Sequence, residues 1–262
     1  MTGSLRFLGT ATTLLSYGGF TVLTDPNFLH RGQRAYLGKG LWSRRLTEPA
    51  LGVGELPALD AVVLSHLHGD HFDRVARRGL SHELPVLTTR PAARRLRLWG
   101  FAQAVALDTW QSYELVKGGD RLRVTAAPGR HAPGPLQALL PQVMGSVLEF
   151  LPAQGAPLSI YITGDTLLHD DLREVPRRHP DLDVGIWHLG GTRVAGVTVT
   201  MDARQGADLL ELVAPARTVP VHHDDYRVFR SPLSDFLAEV ERRGLPGVRP
   251  VARGATLPLP PP

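Results

Sequence analysis

The chain has 262 residues, 43% hydrophobic and 21% charged, an ordinary balance for a globular protein with a sizeable core. There are no cysteines, which excludes disulfides and thiolate metal sites, and no apolar run approaches the ~20 residues of a membrane span. The net charge of +4 comes mostly from arginine, as at Arg90 to Arg97 and Arg242-Arg243; it fits an anionic substrate, nucleic acid, or simply an Arg-rich composition.

Met1-Thr2-Gly3-Ser4 enters a strand directly and lacks a signal-peptide pattern, so a cytoplasmic protein is expected. Leu5 to Leu8 and Thr12 to Tyr17 predict strands. Gly18-Gly19 is a hairpin turn, and Phe20 to Thr24 is the return strand, stopped by Asp25-Pro26. Residues 26–60 form a long connection carrying Arg31, Arg34, Lys39, Arg44 and Arg45. A structureless segment of that length is unusual in a compact domain, so it is functional or holds a short helix, and it is expected to wall the active site. Ala61 to Leu64 is a short apolar run, read as a buried strand.

After Asp73, Arg74 to Leu80 suits a short helix and Val86-Leu87-Thr88 a strand; Pro91 then opens a helix that Gly100 ends. Strands are expected over 104–107, 111–116 and 122–127, the last two joined by a turn at Lys117-Gly118-Gly119-Asp120. A Pro- and Gly-rich loop from Pro128 to Pro141 carries His131. Strands over 143–151 and 158–163 lead to Gly164-Asp165-Thr166. A helix over 170–178 precedes a strand over 184–187, which ends at His188. A helix over 202–213, a strand over 218–221 ending at His222-His223, and a helix over 232–243 follow. The Pro-rich tail over 257–262 is expected to fray. Hairpins give way to strand–helix alternation with no repeat and no linker, which reads as one domain over residues 1–262.

The densest chemistry is Ser65-His66-Leu67-His68-Gly69-Asp70-His71-Phe72-Asp73. Three imidazoles and two carboxylates so close together cannot all be buried alone, because an unpaired buried charge is costly. A divalent transition metal is the simplest shared partner, and imidazole with carboxylate suits zinc, iron or manganese. His66 and His68, two apart, point the same way on an extended backbone, and Gly69 permits a tight turn before Asp70 and His71. That offers one pair of ligands to one metal and a second pair to a neighbour. Later strands also end in metal-type residues, at His131, Asp165 and His222. Each has a plainer alternative: a surface His131, a helix-capping Asp165, and His223 in place of His222.

The block His66-Leu67-His68-Gly69-Asp70-His71 matches the His-x-His-x-Asp-His signature of the metallo-β-lactamase superfamily, and the order of that block, then His131, Asp165 and His222, resembles the whole pattern as far as Tyr226. The resemblance implies an α/β fold, an αβ/βα four-layer sandwich with two mixed β-sheets inside and helices outside. It implies two divalent metal ions, zinc first, with manganese or iron as alternatives. His66, His68 and His131 would hold one, and Asp70, His71 and His222 the other, with Asp165 and a hydroxide bridging them. The activity implied is metal-dependent hydrolysis of a small ester, lactone or phosphodiester without an organic cofactor. Asp70 resembles the residue that both binds metal and handles a proton. His188, ending a strand on the same edge, is a second catalytic candidate as a proton donor, or else a structural histidine. Asp25 and Asp73 are either partners of a ligand histidine or turn-forming residues. His30, His82, His169 and His179 read as surface residues.

Gly190-Gly191-Thr192, Thr200-Met201-Asp202 and Val219 to Tyr226 look like the branch containing ascorbate-6-phosphate lactonase and the N-acyl-phosphatidylethanolamine-hydrolysing phospholipase D. Phe7-Leu8-Gly9-Thr10 and Ser65 to His71 also resemble ribonuclease Z. That family's exosite arm and its His-Ser-Thr segment are missing here, so nucleic acid is disfavoured as a partner. A small-molecule substrate is expected, anionic if the cations of the 26–60 connection face the site. A non-catalytic metal sensor or nucleic-acid-binding module would need an incomplete ligand set, and the set is complete.

Overall fold

Two glycines set the opening geometry. In the computed structural model, which describes residues 3–194 and 196–260, β1 (Ser4–Gly9), β2 (Thr12–Tyr17) and β3 (Phe20–Thr24) form an antiparallel meander. Gly18 and Gly19 have φ of 52° and 78°, and a two-residue turn with both φ positive matches the twist of its flanking strands. The expected lead-in at Met1-Thr2 and the end of the proline-rich tail, Pro261-Pro262, lie outside the described residues.

The 26–60 connection holds a hairpin in addition to a short 3-10 turn at Val53–Glu55. Its strands β4 (Arg34–Tyr36) and β5 (Trp42–Arg44) pair only with each other. Beyond it, β6 (Ala61–Val63), α1 (Arg74–Gly79), β7 (Val86–Thr88), α2 (Arg90–Leu98) and β8 (Ala104–Ala106) add parallel strands through helical crossovers, as parallel neighbours require. A second sheet starts as hairpins, with β9 (Ser112–Lys117), β10 (Asp120–Ala127), β11 (Gly145–Leu151) and β12 (Leu158–Ile162). It then turns parallel through α3 (Glu174–Arg178), β13 (Val184–His188), the small hairpin β14 (Arg193–Val194) and β15 (Val197–Thr198), α4 (Ala203–Val213) and β16 (Arg217–Val221). Last come α5 (Leu233–Arg243) and β17 (Thr256–Pro258).

The strand orders are β17-β1-β2-β3-β6-β7-β8 and β16-β13-β12-β11-β10-β9, so both sheets are mixed. Strand alternation sorts the apolar side chains into layers. Leu5, Phe7, Leu15 and Val22 meet Val124, Leu148, Ile160 and Ile186 between the sheets. Leu14, Leu23 and Val62 face the opposite way, onto Ala76 and Leu96 of α1 and α2. On the far side Tyr161 and Trp187 pack against Val175, Leu210 and Phe236 of α3, α4 and α5. The result is the four-layer αβ/βα sandwich with two mixed sheets.

The tail does not fray where it begins. Leu257 pairs opposite Leu5 and packs against the inter-sheet core, and Leu259 is buried, which holds β17 on the edge of the first sheet; Pro258 is tolerated on that edge strand. Of the four histidines expected at the surface, His30 and His82 are exposed. The His169 side chain is only 4% exposed, because the segment before Asp170 folds onto α4, where the Leu168 N–H donates to Gln205 Oε1 at 2.9 Å.

Asp73 resolves to a structural role. Its Oδ1 accepts the N–H groups of Val75 and Ala76 at 2.7 and 2.8 Å as the N-cap of α1, while Oδ2 accepts those of Phe28 and Leu29 at 2.5 and 2.6 Å. One carboxylate thus ties the start of the 26–60 connection to the helix that follows the histidine block. Asp73→Ala would leave these donors without a protein acceptor, and a loss of about 3 kcal/mol is expected from the cap and the stranded donors. The measurement is the urea midpoint, which should fall while the slope of the transition stays unchanged.

Candidate metal centre

The ends of β3, β6, β12, β13 and β16 meet at one rim of the sandwich; Asp25, the histidine block, Asp165 and His222 follow those ends, and His188 is the last residue of β13. His66 Nε2 lies 3.0 Å from His68 Nδ1, and His131 Nε2 lies 3.5 Å from the same atom. The His131 Nδ1–H donates to the Val199 carbonyl at 2.7 Å, which leaves its Nε2 lone pair directed at the other two rings. Beside this trio, His222 Nε2 is 3.4 Å from Asp70 Oδ2, and His71 Nε2 is 3.9 Å from that same oxygen. Asp165 sits between the groups, with Oδ2 3.4 Å from His71 Nε2 and Oδ1 3.4 Å from His222 Nδ1. Its helix-cap alternative fails, since the next helical turn begins only at Asp170.

Four overlapping trios have ligand atoms within 4.8 Å of one another: His66 with His68 and His131, Asp70 with His71 and His222, His66 with His71 and Asp165, and Asp25 with His71 and His188. The first two are the trios implied by the sequence resemblance. Asp70 Oδ1, His71 Nε2, Asp165 Oδ1 and both ring nitrogens of His222 are buried without a hydrogen-bond partner. Buried polar atoms are almost always satisfied, so a cluster of such orphans aimed at one another fits a cation. The clusters have the capacity for one or two divalent metal ions.

Several contacts support these side chains, and Asp25 takes the expected place as partner of a ligand-type histidine. Asp25 Oδ2 accepts from His71 Nδ1 at 3.2 Å and from His188 Nε2 at 3.3 Å, and Asp25 Oδ1 accepts the Ser65 N–H at 2.7 Å. This fixes the His71 tautomer with Nε2 free for the site. The Thr200 hydroxyl donates to Asp165 Oδ2 at 3.0 Å, and Ser65 Oγ lies 3.0 Å from His66 Nδ1. His188 is fully buried behind this layer, and its Nδ1 is 3.1 Å from the Thr163 hydroxyl, so both of its nitrogens are engaged. Asp25 and His222 take left-handed backbone conformations, with φ of 38° and 61°, rare for residues with a side chain and typical of sites the surroundings over-determine.

The charges sort by environment. Burial pushes the His66, His68 and His131 imidazoles below their usual range, His68 to about 3; repulsion from neighbouring imidazoles adds to it at His66 and His68, so these rings are neutral with lone pairs available. His71 is opposite. Burial disfavours its cation, but Asp165, Asp25 and Asp70 surround it and raise it well above 6.5. Burial works against the Asp25 anion too, yet His71 and His188 hold the carboxyl at about 2.

The β4–β5 hairpin reaches over the site. Gly69 donates its N–H to the Tyr36 carbonyl at 2.8 Å, and a Cβ on Gly69 would lie 2.7 Å from the Tyr36 nitrogen, so only glycine permits this approach. Leu37 and Leu41 of the hairpin tip, with Leu140 and Val199, close a space of about 30 Å³ against His68, Asp70, His131 and Asp165. Of the five cations in the connection, Arg45 faces inward. It is fully buried, pairs with Asp225 at 3.5 Å and donates to the Asn27 carbonyl at 3.0 Å, because the loop after His222 brings an acid beneath it. Arg31, Arg34, Lys39 and Arg44 are exposed.

A family model described as "Beta-lactamase superfamily domain" matches residues 21–223. An uncharacterised protein of Mycobacterium tuberculosis is 29% identical over 250 residues, covering 91% of this chain; the chain spans 64% of that relative's length. A metal-dependent hydrolase of Thermus thermophilus is 28% identical over 247 residues, 93% of each chain. The solved structure of an isothiocyanate hydrolase from Delia radicum gut bacteria aligns with a TM-score of 0.82 at 21% identity, over 98% of this chain and 99% of that one.

A cation held by the orphaned atoms would stabilise the native state. Chelator-treated protein should unfold at a temperature lower by about 10 °C than protein supplied with excess Zn²⁺ or Mn²⁺, taking ~1,000-fold excess over Kd and a chain of this size. Scanning calorimetry reads the difference, and coincident transitions would count against a metal centre.

Proposed function

The chain belongs to the β-lactamase superfamily domain family, and on that premise we propose that it is a dinuclear metal-dependent hydrolase of small esters, lactones or phosphodiesters. The observation that carries this is the set of five orphaned buried atoms on Asp70, His71, Asp165 and His222, beside a complete trio of neutral histidines. His66, His68 and His131 would hold one ion and Asp70, His71 and His222 the other, with Asp165 shared. Two divalent ions, zinc in the first place and manganese or iron otherwise, supply an activated water and a clamp on the charge that develops on the reacting oxygens.

The chain's own groups do the rest. Asp70 offers Oδ1, which has no hydrogen-bond partner, as the atom that takes and returns a proton. Asp25 orients His71 through Nδ1, and Thr200 orients Asp165. His188 is a positioning residue here, not a proton donor, since both its nitrogens are engaged away from solvent. His222 is the ligand in preference to His223, whose ring packs 6.3 Å from that of Phe7. The resemblance of the segments around Gly190, Thr200 and Val219 to the lactonase and phospholipase D branch is what supports proposing that branch. A cytoplasmic location and a single domain over 1–262 complete the proposal; among the described residues no helix is long and apolar enough to cross a membrane.

Elemental analysis of protein purified without chelator should find up to two metals per chain. His222→Ala should lose one metal and at least about 100-fold in activity, as loss of a metal ligand exceeds the effect of an outer-sphere change. His223→Ala should keep both metals; the reverse pattern would move the ligand by one residue. No metal uptake after reconstitution would sink the dinuclear proposal.

The substrate class is read from a panel of lactones, phosphodiesters, esters and precursor tRNA, assayed across salt concentrations. Turnover of the small substrates with weak salt dependence is expected. Efficient tRNA cleavage that falls steeply with salt would instead favour a nuclease that contacts many phosphates.

A further inference from the structure

The space closed directly against the candidate ligands, about 30 Å³, has room for about two waters. Ligand sites usually measure ~300–1,000 Å³. Also against His68 lies a cavity of about 380 Å³, large enough for the body of a small molecule. His68 lines both spaces.

The walls of the larger cavity are aromatic. Tyr36 and Trp42 come from the β4–β5 hairpin with ring centroids 4.9 Å apart and are 46% and 59% exposed; Phe72 and Trp99 stack at 6.5 Å on the opposite side. Large exposed aromatics side by side mark a surface that binds something. The rim carries Arg34, Arg74 and Arg95. Among the described residues none of these three has a carboxylate partner. Arg74 Nη1 donates only to the Arg34 carbonyl at 3.2 Å, and the Arg95 guanidinium lies over the Trp99 ring at 5.4 Å. Asp73, the single acid of the lining, is already committed to its four backbone donors. The cavity is therefore apolar inside with surplus positive charge at its mouth.

We propose that this cavity binds a flat apolar group carrying a carboxylate or phosphate, stacked on the exposed hairpin aromatics Tyr36 and Trp42 with its anion on the arginines. The occupant abuts His68, which also lines the small space against the candidate ligands, so its remaining end is next to the candidate metal centre. Binding there also touches the stem of the hairpin whose tip residues Leu37 and Leu41 close that centre. That the occupant is the substrate rests on the hydrolytic proposal above; that the cavity binds it does not.

The probe is 2-naphthoate, with 2-naphthalenemethanol as its uncharged counterpart, followed by titration calorimetry. One naphthoate should bind per chain, equally in zinc-supplied and chelator-treated protein. The alcohol should bind about tenfold more weakly or worse, and Arg95→Ala and Trp42→Ala should each weaken naphthoate by about tenfold with metal content unchanged. No binding, equal affinity for acid and alcohol, indifference to both substitutions, or binding abolished by chelator would overturn the proposal. Protein that binds the probe but hydrolyses nothing would remove the hydrolytic proposal and leave the cavity. Protein that hydrolyses neutral esters but never binds the probe would do the reverse.

Discussion

Three buried carboxylates converge on one imidazole. Asp25, Asp70 and Asp165 surround His71, and even the imidazolium form of that one ring could not balance three anions taken out of water. Everything else at this rim follows from that imbalance. The neutral trio of His66, His68 and His131 adds lone pairs and no charge, so it leaves the deficit for a cation to meet. Asp25 is the acid held away from the deficit, tied down by the Ser65 N–H and by His188. Asp70 and Asp165 keep oxygens with no protein donor, and these point inward.

How the strands end explains why so much of this was legible in the sequence. The histidine block concentrates several donors in one turn, and no soluble core accommodates them without a shared partner. The later positions, His131, Asp165 and His222, were legible only through their order along the chain, because strand ends on one rim bring distant residues together. The Asp25–His188 pairing had no local signal, since it joins residues 163 positions apart by a hydrogen bond. Thr200 stood out only as part of the Thr200-Met201-Asp202 segment, and nothing local pointed to its bond with Asp165, 35 positions earlier. Arg45 is the sharpest reversal. In a loop full of cations its neighbours give no reason to bury it; the reason is Asp225, which arrives from the other end of the chain.

That buried pair belongs to a wider brace. Asp225 Oδ2 also accepts the Thr10 N–H at 2.7 Å, Thr10 returns its carbonyl to the His222 N–H at 2.7 Å, and Tyr226 Oη donates to Asn27 Oδ1 at 3.1 Å. Thr10, Asp25 and His222 all hold left-handed backbone conformations, each a local cost of about 1–3 kcal/mol for a residue with a side chain. The brace is what offsets them. It spans the two sheets, so the geometry of His222 is set by the first hairpin of the chain as much as by its own strand.

The placement of β17 has a consequence for how the protein comes off the ribosome. β1 is synthesised well before β17, its outer neighbour, which follows about 250 residues later along the chain. At ~5–20 residues per second, the unpaired edge of β1 waits for roughly ten seconds or more before its partner exists. An open strand edge bearing apolar side chains is a template for pairing with other chains. The first sheet is thus vulnerable to association with a neighbouring nascent chain until β17 has been made, and β17 acts as the seal on that edge.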